Sequence, residues 1–385
     1  MKFENSTYNK LWESQEGRKI LSTILNEEGF VKPNYTFHLE KFKIDPAITP
    51  TNAKGEAIFT STMRELATAD LMDMRAPLSD TRVADKKGVA YYNGRIPDFA
   101  PAGYVEKATE RWYKEENFAQ FGDAALIAQY ATEEIQRMVD SANMTLSYLA
   151  AKALSTGETI YDMGEGIQSA IYKSYIPAEN FVKAGEKLWS DPTAKILDQM
   201  AKIEETFKDK WGVEMAMQWE MTQEMFDAYF LNNEEVREWV ISWNAMNNVS
   251  LPANLRLTRD LVISAFNAHP YNLSPIVIVN EKQKDINQGV VRGWKAGNAV
   301  LRPRGYAGFI RRASILDEVI YKRYANSVNT YNFTPALNGL GVFMNSVVVN
   351  GNFKEWHTDL FVKAIPTLDE FLYHVIVDTT TKDSE

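Results

Sequence analysis

One long amphipathic segment, residues 123–157, constrains this sequence more than any other feature. About 33 helical residues at roughly 1.5 Å each give a rod on the order of 50 Å, about three times the length of a typical globular helix. We expect Asp123 to cap its first turn and Gly157 to end it in the left-handed conformation. Apolar side chains recur at alternating steps of three and four residues, which places them on one helix face: Ile127, Ala131, Ile135, Met138, Ala142, Leu146, Leu149 and Ala153. The other faces carry polar residues: Gln129, Glu133, Gln136, Arg137, Asp140, Asn143, Ser147 and Lys152.

Composition sets the broad class of the protein. The chain has 385 residues, which suggests two or three domains, and its 45% hydrophobic and 24% charged content is typical of a folded globular protein. The absence of cysteine excludes disulfides, thiolate catalysis and Cys-ligated metals. A net charge of −9 argues against binding nucleic acid by phosphate neutralisation, although it does not prevent enclosing it. Residues 1–19 lack an apolar core and no long apolar window occurs, so neither a signal peptide nor a membrane span is expected.

The first 113 residues predict an arm followed by a ribbon. Residues 1 to about 50 are expected to be irregular apart from a short helical pattern over 8–25, because glycine and proline recur at Gly29, Pro33, Pro46 and Pro50. Residues 57–59 predict a short strand. Turn residues at 85–88 and 93–94 predict a two-stranded ribbon whose tip is near 85–88. Its nearly balanced charges fit either a solvated hairpin or a ribbon that reaches over another subunit.

The remainder of the chain predicts a mixed α+β region. A strand is expected at 170–176, and a helix at 189–210 with Pro192 in its first turn. A polar loop is expected at 282–293. Further helices are predicted at 223–230, 234–246 and 257–268, and further strands at 213–221, 274–280, 299–302, 342–350, 354–364 and 372–378.

A search for catalytic motifs finds none. The sequence has no P-loop, no glycine-rich dinucleotide motif after a strand and no nucleophile elbow. Its adjacent acidic pairs lie on predicted helices, where neighbours point about 100° apart and cannot converge on one substrate bond: Glu133 with Glu134, and Glu234 with Glu235. The many aromatic residues could line a sugar site, but they fit cores and subunit interfaces better.

Histidine and arginine give no ligand site either. The histidines lack metal-ligand spacing, so we expect them at surfaces or interfaces: His38, His269, His357 and His374. Two short basic clusters are expected to pair with acidic neighbours rather than with nucleic acid: Arg302 with Arg304, and Arg311 with Arg312.

The order of these parts resembles the major capsid protein of tailed bacteriophages, which has the Hong Kong 97-like fold. More narrowly, it is similar to the lambda-type major capsid protein E family. The segments that carry the resemblance are RAPLSDTR (75–82), GRIPDFAPAGYVEKATERW (94–112), LAAKALSTG (149–157), WSDPTAKILDQMAKI (189–203) and WKAGNAVLRPRGYAG (294–308).

The resemblance implies an α+β fold and a division of the chain. The expected parts are an N-terminal arm (1–53), an E-loop (54–105), a P-domain (106–186) with the spine helix (123–157), an A-domain (187–335) and a return to the P-domain (336–385). It also implies a structural protein, with no enzyme activity, cofactor or metal, that self-assembles into the hexamers and pentamers of an icosahedral head shell. That shell encloses double-stranded DNA without sequence-specific binding. The implied further partners are portal, scaffolding and decoration proteins, with no membrane, and the implied location is the virion after assembly in the host cytoplasm.

The resemblance also implies roles for individual residues. The assembly-interface candidates are Arg75, Arg82, Lys86, Lys87, Arg95, Asp98 and Arg111, and the spine-helix core is Ile127, Ile135, Met138, Leu146 and Leu149. Some proteins of this fold crosslink a Lys to an Asn, but no partner for Lys86 or Lys87 is identifiable here, so crosslinking is not expected. Two alternatives stay open: an encapsulin-like container of the same fold, and an unrelated α+β carbohydrate-active enzyme.

Overall fold

A computed structural model gives the architecture of the subunit. It describes residues 39–52, 56–64, 89–99, 104–107, 124–162, 168–173, 176–211, 215–247, 249, 252, 256–266, 273–285, 289–314, 342–349, 355–369 and 371–382. Within these residues, no helix is both long enough and apolar enough to cross a membrane.

The described chain is a mixture of helices and strands. The helices are α1 (Ala124–Thr156), α2 (Ile196–Trp211), α3 (Gln223–Tyr229), α4 (Glu234–Met246) and α5 (Arg259–Phe266). The strands are β1 (Phe42–Thr49), β2 (Ala57–Arg64), β3 (Val89–Ile96), β4 (Asp98–Phe99), β5 (Tyr104–Lys107), β6 (Glu158–Asp162), β7 (Gln168–Lys173), β8 (Phe181–Ala184), β9 (Met217–Thr222), β10 (Ile276–Val279), β11 (Gln283–Asp285), β12 (Gly289–Val291), β13 (Asn298–Pro303), β14 (Gly308–Ala313), β15 (Val342–Val349), β16 (Glu355–Leu368) and β17 (Val375–Lys382).

Helix α1 confirms the predicted spine. It has 33 residues and ends at Gly157, whose φ of 72° is left-handed and whose N–H donates to the Ala153 carbonyl at 2.9 Å. The predicted cap Asp123 lies outside the described residues. In the second half of the helix the predicted apolar positions are buried: Ala142, Leu146, Leu149 and Ala153. The side chains of Ile127, Ala131, Ile135 and Met138 lie outside the described part.

Asn143 and Ser147 lie off the predicted apolar stripe, and both are nevertheless buried. The reason is that α1 packs against two sheets at once, on β16 of one and on β13 of the other. A helix covered on two sides buries residues from more than one stripe. The spine is therefore enclosed along its second half.

A five-stranded sheet in the order β10-β9-β13-β17-β8 lies between two cores. Side chains alternate across it, because successive residues of a strand point to opposite faces. Val300 and Ile376 join the core that contains α1. Leu301 and Val377 join a second core, which helices α2 to α5 cover. One sheet thus supplies apolar side chains to both cores.

A second sheet runs β1-β14-β16-β15, with β4 and β5 also pairing with β16. Its first strand corrects the prediction of an irregular arm, since β1 runs parallel to β14. The register shifts between Ile44 and Ile48, where Pro46 lies. Proline cannot donate to a sheet ladder and is tolerated at an edge or a bulge, and β1 offers both.

The ribbon is formed by β2 and β3, which pair antiparallel from Ala57 opposite Ile96 to Arg64 opposite Val89. The predicted strand at 57–59 is confirmed, and the predicted tip at 85–88 lies outside the described residues. The turn predicted at 93–94 is wrong, because both residues lie inside β3. Strands β4 and β5 belong to the second sheet and not to the ribbon.

The predicted helices at 223–230, 234–246 and 257–268 are confirmed as α3, α4 and α5. The helix predicted from 189 starts only at Ile196, because the residues around Pro192 form turns: Asp191 donates to Leu188 at 2.9 Å and Ala194 to Asp191 at 3.0 Å. The predicted loop at 282–293 is wrong, since it contains the β11–β12 hairpin. The division of the chain into domains stays a prediction.

Candidate assembly surface and the buried junction behind it

The structure describes two of the seven predicted assembly residues, Arg95 and Asp98, and it separates them. Arg75, Arg82, Lys86, Lys87 and Arg111 lie outside the described residues. Arg95 is on β3 of the ribbon, whereas Asp98 is on β4, opposite Lys363 of β16. The main chain at Asp98 therefore belongs to the second sheet and not to the ribbon.

Arg95 is exposed on the ribbon. Its side chain is 59% exposed, and its nearest carboxylate, that of Glu56, lies 3.9 Å away. Exposed ion pairs of this kind contribute little, about 0–1 kcal/mol, so the guanidinium can change partner at low cost. Its cross-strand neighbour is Ile58, which is 58% exposed. The base of the ribbon therefore offers a cation beside an apolar side chain.

Further exposed apolar residues lie near the ribbon base, and the sequence analysis did not select them. Ile44 and Ile48 are exposed on β1, which is the edge strand of its sheet in the described residues. Tyr306 is exposed beside them, with Lys43 Nζ 4.1 Å from its ring centre. Exposed apolar side chains on an edge strand are typical of a surface that another chain covers. The β-branched residues of 42–49 were the available signal, but Pro46 obscured it.

Behind this surface lies a buried charge cluster centred on Glu220 of β9. Its Oε2 is 2.7 Å from Lys41 Nζ, and its Oε1 accepts from Arg302 Nε at 2.8 Å and from Gln218 Nε2 at 2.5 Å. The Glu220 and Arg302 side chains are 0% and 2% exposed. Burial alone raises the pKa of Glu220, but attraction to Lys41 and Arg302 outweighs it and lowers that pKa to about 2. Glu220 is therefore a buried carboxylate anion at neutral pH.

His374 lies on the same side of the five-stranded sheet. Its Nε2 is 2.7 Å from the Leu154 carbonyl oxygen of α1. Complete burial lowers the pKa of His374 to about 4, so the imidazole is neutral at pH 7. The prediction that the histidines lie at surfaces or interfaces is wrong for His374 within the subunit. The other three lie outside the described side chains.

The arginine pairs divide into two kinds. The predicted acidic partners are confirmed for Arg302, on Glu220, and for Arg311, whose Nη1 lies 2.6 Å from Asp45 Oδ2. The prediction is wrong for Arg304, whose Nε donates at 3.0 Å to the Met217 carbonyl. Arg312 Nε donates at 3.0 Å to the main-chain carbonyl of Asp45, and the Asp45 carboxylate also attracts its charge. Guanidinium groups have several donors and readily bind main-chain carbonyls. Whether an arginine binds a carboxylate or a carbonyl depends on the tertiary arrangement.

Buried carboxylates in the second core hold structure together. Glu204 accepts from Trp219 Nε1 at 2.7 Å and from Ser274 Oγ at 2.8 Å. Glu235 accepts from the Leu197 N–H at 2.8 Å and so caps the start of α2. Burial raises the pKa of Glu235. Among the described residues, no group of three His, Asp or Glu side chains is arranged to hold a metal ion.

Comparison with known proteins identifies the family. The model of the phage major capsid protein E family matches residues 61–330. This chain belongs to that family. Phage major capsid proteins form the head shell, and membership does not favour the container or the carbohydrate-active enzyme. No curated protein sequence matches the chain significantly.

The chain has the Hong Kong 97-like, mixed α+β fold expected of this family, and it is similar to the following solved structures. A phage-related protein from Bordetella bronchiseptica RB50 is 13% identical, with coverage of 94% of this chain and 96% of that chain and a TM-score of 0.50. The capsid of Ralstonia phage GP4 is 12% identical, with coverage of 92% and 93% and a TM-score of 0.44.

Proposed function

We propose that this subunit self-assembles into hexamers and pentamers that close into the icosahedral head shell of a tailed phage around double-stranded DNA. The observation that carries the proposal, beside the family match over 61–330, is the ribbon. Among the described strands, β2 and β3 pair only with each other. The base of the ribbon packs into the subunit's own core through Ala57, Phe59 and Ile96. Ile58 and Arg95 on the opposite face are exposed, however, and a two-stranded ribbon gains further stability when another surface covers that face. In a shell, that surface is a neighbouring subunit.

The ribbon base and the β1 edge are the surfaces we assign to subunit contacts. Ile58 and Arg95 supply an apolar and a cationic contact side by side, and Ile44 and Ile48 extend the apolar part. Interfaces between obligate subunits bury roughly 2,000–5,000 Å² or more, which a ribbon and an arm can supply together. The five assembly candidates outside the described residues, and Asp98, stay predictions.

The charge balance supports enclosure of DNA without tight binding. A net charge of −9 disfavours strong attachment of phosphates to the wall, so the genome can pack without being immobilised. The acids Glu204, Glu220 and Glu235 hold structural hydrogen bonds, which fits a protein without catalysis. We further propose portal, scaffolding and decoration proteins as partners, and assembly in the host cytoplasm.

Assembly of the purified protein tests the proposal. Size-exclusion chromatography and negative-stain microscopy across protein and salt concentrations should show rings or closed shells. A chain that stays monomeric under all of these conditions would overturn the proposal. Particles that contain protein cargo and no DNA after expression with a phage genome would support the container instead.

Ribbon variants test the surface separately. Ile58→Asp and Arg95→Glu should give folded subunits, with unfolding midpoints near that of the wild type, that no longer assemble. Lys202→Glu, on an exposed position of α2, is the matched charge-reversal control and should assemble normally. Assembly of both ribbon variants at wild-type concentrations would remove this surface from the proposal.

A further inference from the structure

Residues 39–52, which we call the arm root, contact both sheets of the subunit. Lys41 lies in a 3₁₀ turn, and its ammonium group binds Glu220 of the five-stranded sheet. The main-chain carbonyl of Lys41 accepts from Ala307 N–H at 2.7 Å. Strand β1 begins at the next residue and pairs with β14 of the second sheet. The arm root therefore bridges two sheets over a short length of chain.

Lys41 is the residue that binds the arm root to the five-stranded sheet. Its side chain is only 10% exposed, and burial lowers its pKa, so the ammonium group is costly to place there. Glu220 offsets that cost at 2.7 Å. If the arm root leaves, Glu220 keeps Arg302 and Gln218 as partners. Glu220 therefore stays paired when Lys41 is displaced or replaced.

A second contact links the arm root to the ribbon through Arg311. Arg311 Nη1 lies 2.6 Å from Asp45 Oδ2 of β1, and Nη2 lies 3.3 Å from Asp369 Oδ1. The same guanidinium lies 5.1 Å from the centre of the Phe59 ring in β2. Because one planar group contacts both segments, a shift of β1 changes the packing under the ribbon.

Hydrogen bonds also hold the end of the arm root and Glu56, the residue just before the ribbon. Ser314 N–H donates to the Thr49 carbonyl at 3.1 Å. Asn52 N–H then donates to the Glu56 carbonyl at 2.9 Å, and Glu56 N–H donates back to Asn52 Oδ1 at 2.9 Å. The ribbon starts at the next residue, Ala57, which is fully buried. The arm root therefore acts on the position at which the ribbon leaves the subunit, together with the burial of Ala57, Phe59 and Ile96 in the core.

We propose that residues 39–52 act as a strap, anchored by the Lys41–Glu220 ion pair, that fixes the direction in which the ribbon leaves the subunit. The strap rests on the proposed function only in taking the ribbon as an assembly surface. When Lys41 is bound to Glu220, the ribbon leaves the subunit in one direction. When that ion pair is broken, the ribbon samples many directions.

Distance measurement on the free subunit tests the strap. The chain contains no cysteine, so two introduced cysteines can be spin-labelled uniquely. Thr60→Cys on the ribbon and Glu238→Cys on α4 are both at exposed positions. Electron–electron double resonance should give a narrow distance distribution between them. Adding Lys41→Met should at least double its width.

Lys43→Met is the matched control, because Lys43 is two residues away, is exposed and lies over the Tyr306 ring rather than beside Glu220. It should leave the distribution narrow, and Lys41→Arg, which keeps the charge, should nearly restore it. Equal widths for Lys41→Met and Lys43→Met would overturn the strap. If Lys41→Met does not fold, Lys41→Gln is measured in its place with the same criterion.

The measurement separates the two proposals. It is made on unassembled subunits at low concentration, so it does not depend on shell formation. Wild-type protein that never assembles would overturn the proposed function and leave the strap intact. Wild-type protein that assembles, with no broadening in Lys41→Met, would overturn the strap alone.

Discussion

His374 Nε2 lies 2.7 Å from the carbonyl oxygen of Leu154, so the side chain directly before β17 of the five-stranded sheet binds the last turn of the spine helix. The last four carbonyls of a helix have no partner within the helix. Here the Ala153 carbonyl accepts from Gly157 N–H, that of Leu154 from His374, and that of Ser155 from Asn298 Nδ2 at 2.8 Å. The end of the spine is therefore fixed to the sheet by directional hydrogen bonds, which apolar packing alone would not provide.

This contact predicts a pH dependence of stability. The pKa of His374 is about 4 in the folded subunit and about 6.5 in an unfolded chain, so the unfolded state binds the proton first. The His374 contribution is complete above pH 6.5 and is lost as the pH falls through 4. The loss is at most roughly 3 kcal/mol in the free energy of unfolding.

His374→Gln isolates that effect, because glutamine can still donate to the Leu154 carbonyl but does not titrate. Urea unfolding at pH 7, 5.5 and 4.5 should show wild type losing more stability than the variant. If the free energy of unfolding changes equally with pH in the two proteins, His374 is not buried as a neutral base.

Removal of the Glu220 carboxylate charge should be costly. Glu220→Gln leaves Lys41 and Arg302 buried without a counter-ion, and breaking a buried pair in this way typically costs about 3–5 kcal/mol. Denaturant unfolding at pH 7 measures it. Glu238→Gln, on the exposed face of α4, should change stability by less than about 0.5 kcal/mol. An equal loss in the free energy of unfolding for Glu220→Gln and Glu238→Gln would contradict the buried charge cluster.

Gly293 marks a close approach to the spine helix. A Cβ at this position would overlap the Tyr148 carbonyl oxygen and lie 2.9 Å from the Ala151 Cβ. We therefore expect Gly293→Ala to destabilise the subunit by about 1–3 kcal/mol in thermal or urea unfolding. Gly185→Ala is the control, since its Cβ would meet nothing closer than 3.8 Å. A neutral Gly293→Ala would mean that this segment does not press on α1.

The spine helix itself gives a prediction about folding. Leu149 is fully buried, so Leu149→Ala should cost about 2–5 kcal/mol, whereas Ser141→Ala at an exposed position should be nearly neutral. Ile135→Asp, at a position predicted from periodicity alone, should prevent folding. Soluble Ile135→Asp protein that still forms shells would show that the apolar face of the spine is misassigned.

Elements with local signals were predictable. The boundaries of α1 follow from its apolar spacing and from Gly157, which takes the left-handed conformation. Helices α3 and α4 begin where Thr222 and Asn233 accept the N–H groups of Met225 and Val236. By contrast, α2 starts later than predicted because residues 188–194 form turns, and its first turn is capped by Glu235, 38 residues away, and not by a neighbour.

The candidate surface was predictable only in part. Arg95 was selected by its place in a family segment, and the structure leaves it exposed. Ile44 and Ile48 were not predicted as surface residues, because no local sequence signal near 42–49 indicates a parallel strand that pairs with residues 308–313. Asp98 was placed with the ribbon, but its pairing with β16 moves it into another sheet.

The sequence by itself determined the spine helix, the α+β class and the family, because helix periodicity, caps and segment order are written in residues close together along the chain. The tertiary structure decided that Asn143, Ser147 and His374 are buried and that Lys41 lies against Glu220. Lys41 and Glu220 are 179 positions apart, and the free energy that buries them comes from the packing of two sheets on one helix. The spine is a local property of its own residues, and how it is enclosed is a property of the whole subunit.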